Sequence, residues 1–99
     1  MKQQSENSSK QNNAGIVVKK PTESERNDML KHEIWESDIT EFEYYYEKDE
    51  YVLMLEGEVT VEFDGGSVTF GAGDYVFLPK GLSCVWKVTK PVKEHFVFI

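Results

Sequence analysis

From Thr40 to its last residue the chain alternates apolar and polar side chains with a period of two, cut at short intervals by turns that carry glycine or proline. A period of two puts successive side chains on opposite faces of a strand and gives a helix no coherent stripe to bury. In residues 40–47, Phe42, Tyr44 and Tyr46 share one face, and Glu41, Glu43, Tyr45 and Glu47 share the other. In residues 58–63, Val59, Val61 and Phe63 point in while Glu58, Thr60 and Glu62 point out. Asp64-Gly65-Gly66 reads as a hairpin turn, because Asp-Gly tolerates the positive φ such turns need. Turns follow at residues 71–74 and at Pro79-Lys80-Gly81, and Cys84, Trp86 and Val88 form the next inward face. Residues 91–99 close the sheet. Short, closely spaced strands of this kind imply an all-β sandwich or barrel.

The rest of the chain adds little regular structure. Residues 1–14 are rich in Gln, Asn, Ser and Lys and are expected to form a disordered tail, leaving 15–99 as one domain. Residues 15–19 form a short β-branched strand, and residues 33–37 a brief strand centred on Trp35. Residues 21–30 have the only helix-start character: Thr22 with Glu25 three positions on matches a capping box, good for one or two turns. Residues 51–55 (YVLML) are apolar on both faces, so the face turned from the core needs cover from the N-terminal segment or a second subunit. A domain this small buries only roughly two thirds of the surface of its unfolded chain, which also favours a homodimer.

Charge narrows the partners. With 18 acidic against 11 basic side chains the net charge is −7, and no basic patch stands out. Nucleic acid and an anionic membrane surface are therefore poor partners, and no apolar run approaches the roughly 18 residues of a membrane span. Cys84 is the one cysteine, so no intrachain disulfide can form. The first 14 residues lack the apolar run of a secretory signal, and a cytoplasmic location is expected.

Glu50 followed six residues later by Gly57 resembles the second half of the first cupin motif, and Gly73 followed by Pro79-Lys80-Gly81 resembles the second. Trp35, the Tyr44-Tyr45-Tyr46 run, Leu55-Glu56-Gly57, residues 79–84, residues 86–88 and residues 93–96 resemble the short single-domain cupins related to the cupin domain of ureidoglycine aminohydrolase. The resemblance implies a small single-domain jelly-roll β-barrel. Each motif also has a purely structural use, since glycine permits tight turns and proline stops a strand.

Metal-dependent cupins place two histidines, a glutamate and a third histidine at four positions. Here the resemblance puts Tyr44, Tyr46, Glu50 and Cys84 there. A phenol must lose a proton of pKa about 10 before it can bind a metal well, so no cofactor is expected. The reading favoured is that the two tyrosines and Cys84 pack the barrel interior with the hydroxyls bonded to Glu50. If a divalent metal is held, Glu50, Cys84 and His95 are the ligand set. His32 is expected in solvent, and His95 to be buried with one hydrogen bond. A Cys84–His95 nucleophile–base pair is the covalent alternative, with no oxyanion hole to support it.

Three functions remain open at this point. The first is binding of a small polar metabolite in a pocket lined by Tyr44, Tyr46, Glu50, Cys84 and Trp86, where rings and carboxylate would both favour a cation. The second is a metal-dependent enzyme acting on a ureide or related amide. The third is a structural or regulatory dimer whose barrel its own side chains fill.

Overall fold

The computed structural model describes residues 13–99. Of the tail expected over residues 1–14, residues 1–12 lie outside the described residues. Asn13 and Ala14 instead belong to the domain: the Ile16 amide donates to the Asn13 carbonyl at 2.9 Å, and Ala14 packs on the core.

Eight elements follow: β1 Val17–Lys19, α1 Glu23–Met29, β2 Glu33–Ser37, β3 Thr40–Tyr45, β4 Glu50–Phe63, β5 Gly66–Gly71, β6 Tyr75–Leu78 and β7 Ser83–Phe98. The helix starts where the capping box places it. The Glu25 amide donates to the Thr22 hydroxyl, and the Thr22 amide donates to the Glu25 carboxylate. Every strand pairing is antiparallel.

Two long strands organise the barrel. β4 and β7 pair along most of their length, and the register shifts between Met54 and Val59. On one side of that bend the order is β1-β6-β4-β7-β2. On the other, β5 pairs with the second half of β4, and β3 with the first half of β7. The two halves share one core, in which Val52, Val76 and Leu78 meet Val59, Val61, Phe70 and Trp86. This is the jelly-roll barrel expected. Gly57 sits at the bend with φ +96°, where β4 passes against the backbone of Pro91. Bulged glycine at such a point lets a strand turn from one half-sheet into the other.

β7 corrects the expectation of two strands parted by Pro91. It is one strand of 16 residues, and its inward set runs unbroken in parity through Cys84, Trp86, Val88, Val92 and Glu94. Proline is tolerated because it falls in the stretch where the β4 register is irregular. The doubly apolar stretch of β4 finds cover within the chain: α1 rests on β4 and β7, and Leu53 and Met29 are both 1% exposed.

Candidate functional site

The turn at Pro79-Lys80-Gly81 holds the loop between β3 and β4 in place. The Tyr46 amide donates to the Leu82 carbonyl at 2.9 Å, and the Gly81 amide donates to the Tyr46 carbonyl at 2.8 Å. The Lys80 amide donates to the Asp49 carboxylate at 2.7 Å. Tyr46, just beyond the end of β3, is thereby pinned with its ring inside the barrel, 1% exposed. Its hydroxyl donates to Glu50 Oε1 at 2.6 Å and accepts from Trp86 Nε1 at 3.1 Å. This buried relay is the hydroxyl–Glu50 contact anticipated from the sequence, made by one tyrosine rather than two.

Around the relay lies a cavity of about 250 Å³ lined by Trp35, Phe42, Tyr44, Tyr46, Glu50, Trp86, Glu94, Phe96 and Phe98. Trp35, Phe42 and Trp86 stand 6.1 Å apart centroid to centroid, with Trp35 edge-on to the other two. Tyr44 and Tyr46 meet at 4.7 Å, and Phe98 lies 6.3 Å from Tyr46. Tyr44 and Phe98 are 39% and 37% exposed and form the mouth. Tyr44 thus belongs to the rim, not to the packed interior expected for it.

Glu94 is the acidic residue missed from sequence, and Trp35, Phe42, Phe96 and Phe98 were likewise not in the expected lining. Glu94 lies on β7 opposite Trp35 of β2 and Met54 of β4, is 2% exposed, and its Oε1 has no hydrogen-bond partner. Burial, then the charge of Glu50, pushes its carboxyl up to about 9. Burial raises Glu50 to about 7 although the Tyr46 hydrogen bond pulls the other way. Burial and Glu50 together hold the Tyr46 phenol far above its ordinary range. A low-dielectric site disfavours charge unless something pairs with it.

His95 and Cys84 do not join this cavity. Neighbours on a strand face opposite ways, so with Glu94 inward His95 points outward. There it is 6% exposed, and its Nδ1 meets the His32 carbonyl at 2.9 Å, the single hydrogen bond expected. His32 itself is half-buried and lies 3.5 Å from the Asp28 carboxylate, not free in solvent. Cys84 is buried in the core, and its thiol donates to the Tyr44 carbonyl at 3.6 Å, off the cavity wall. Burial and Glu50 push that thiol up to about 11, away from thiolate. The conditional ligand set of Glu50, Cys84 and His95 is therefore not assembled, nor is a Cys84–His95 pair. Among the described residues no group of three or more His, Cys, Asp or Glu side chains is placed to hold a metal ion. The donors at the four positions where the cupin family implies a metal do not fit one: Tyr46 keeps its proton on Glu50, and Cys84 keeps its own. Among the described residues, no helix is long and apolar enough to cross a membrane.

The family described as the EutQ-like cupin domain matches residues 24–96. A DUF861-family protein of Thermotoga maritima is 38% identical with a TM-score of 0.80, over 85% of this chain and 99% of that one. The Clostridium difficile EutQ protein is 25% identical with a TM-score of 0.62, over 66% of this chain and 52% of that one. Acetate kinase EutQ of Escherichia coli (strain K12) is 36% identical over 63 residues, which are 64% of this chain and 26% of that protein. The chain thus spans about a quarter of the length of that curated relative.

Proposed function

The chain belongs to the family of EutQ-like cupin domains, and on that premise we propose that it binds a small polar metabolite inside its barrel and does so without a metal. The observation that carries this reading is the aromatic cavity that opens between Tyr44 and Phe98 and ends on two buried carboxylates. Concave aromatic walls with a few convergent polar groups are the usual make-up of a small-molecule site. The volume corresponds to roughly eight waters at about 30 Å³ each, so the ligand has about ten heavy atoms or fewer. Such a space also argues against a barrel filled by its own side chains.

The enzymatic readings have less support. Hydrolysis of a ureide on a bound metal lacks a donor set. The kinase activity named for the E. coli relative belongs to a much longer protein, and here, among the described residues, the charged groups on the cavity wall are both carboxylates. Ionised they would repel ATP and acetate alike, and protonated they offer an anion no counter-charge.

Both tryptophans of the chain line the cavity, so binding should change the intrinsic fluorescence directly. A metabolite screen read by fluorescence and by thermal shift should yield ligands that compete with one another. Protein purified without added metal should contain well below one equivalent of zinc, iron, nickel or manganese. Stoichiometric metal that survives a chelator and is lost in Glu50→Ala would overturn the metal-free reading.

A further inference from the structure

We propose that the ligand is a small organic cation, an ammonium group carrying methyl or short alkyl substituents, and that Glu94 is its counter-charge. The proposal rests on the reading of the cavity as a binding site and names what the site selects.

The hydrogen-bond inventory of the cavity is lopsided. Its deep donors are already committed, the Trp86 N–H to Tyr46 and the Tyr46 hydroxyl to Glu50. What remains deep inside is the Glu94 carboxyl, whose enclosed Oε1 has no partner; burial favours its neutral form, and a bound cation would ionise it and release its proton. A buried polar group left without a partner is destabilising, and such a group in a folded protein calls for one. A ligand that fits must bring the donor, or the positive charge, with it.

The walls point the same way. Ring faces attract cations through their quadrupoles, most strongly for tryptophan and in a desolvated setting. Seven of the nine lining residues are aromatic, and the other two are Glu50 and Glu94. No lysine, arginine or histidine lines the cavity among the described residues. A neutral sugar or amide could donate to Glu94 but would bring no charge for the ring faces to attract. An anion would meet both of them.

The test compares choline with 3,3-dimethylbutan-1-ol, which has the same shape and no charge, by calorimetry and tryptophan fluorescence on the folded wild-type chain. Butylammonium and a set of neutral polyols and amides complete the panel. Choline or butylammonium should bind at least tenfold more tightly than the uncharged isostere. Glu94→Gln should lose at least tenfold more affinity for the cations than for the isostere; circular dichroism checks that the variant is folded. Equal binding of choline and its isostere, or cation binding unaltered in Glu94→Gln, would overturn the proposal. Binding of the neutral set without any ammonium would overturn it too, yet leave the cavity reading intact. Silence from the whole panel would sink both.

Discussion

Gly57→Ala should abolish the fold or leave it barely stable. A Cβ at this position would lie 2.2 Å from the Pro91 carbonyl oxygen and 2.8 Å from both the Pro91 carbonyl carbon and the Val92 Cα. These are backbone atoms of β7, held in the ladder that β4 and β7 share. They cannot retreat as a flexible side chain could. The φ of +96° adds strain of its own for any residue with a side chain. Together these should cost about 4 kcal/mol or more, a large part of the 5–15 kcal/mol typical of a domain. The melting temperature should fall by roughly 15 °C or more, or soluble protein should be lost. Gly65→Ala separates the two causes. Gly65 has a similar φ of +98° but nothing within 4 Å of the added Cβ, so its loss should stay near 1 kcal/mol. Equal damage from both variants would show that close approach of the strands is not what Gly57 provides.

The second large effect is a stability that falls as pH rises. Glu50 and Glu94 have folded-state values of about 7 and about 9, both above the ordinary 4.5 they regain on unfolding. Between those values the native state binds more protons than the unfolded chain, so unfolding becomes easier with increasing pH. Their contribution is whole below about pH 4.5 and is lost as pH rises through about 7 and then about 9. The titratable groups that face the pair are each other, Tyr46, Tyr44 at the mouth and Cys84 beside Glu50; the phenols and the thiol are all raised and stay neutral throughout. The melting temperature should therefore drop by about 10 °C or more between pH 5 and pH 9. Glu94→Met, of similar length and apolar, should flatten the profile above pH 7. It should also raise stability by about 1–3 kcal/mol near neutrality, because it removes a buried acceptor that nothing satisfies. A variant less stable than wild type at pH 9 would show that Glu94 has a partner in the native chain. Lost ligand binding in the same variant would mark a site where stability is given up for recognition.

Much of this was legible in the chain. Period-two alternation and the turn glycines specify the barrel because burial of one face leaves a strand little choice of register. Thr22 and Glu25 announced the helix through a short-range mechanism that needs no tertiary help. Tyr46 and Glu50 were found as a pair because both fall on positions the cupin resemblance brings together, and the short loop between β3 and β4 keeps them close. Glu94 was not, for a physical reason: its direction depends on the parity of β7 being carried across Pro91, which sequence alone reads as an interruption. Continuing the inward series from Trp86 and Val88 through Val92 was the available signal, and it would have turned Glu94 in and His95 out. Nor could the sequence show that Cys84 misses the cavity wall, since its register partner Tyr44 shares its face and does line the cavity.

The unbroken parity of β7 also bears on how such a site could diversify. Trp86, Glu94, Phe96 and Phe98 all reach the cavity from one continuous strand. Their spacing is set by covalent geometry, so they act as fixed marks along a ruler rather than as loops that must be folded afresh. Exchange at positions 94, 96 and 98 would alter the charge and width of the chamber, while Val88 and Val92 on the same face stay in the core. Ligand preference and core packing are thereby written in separate stretches of one ribbon. A lineage could change what it captures by a few point substitutions without renegotiating its architecture.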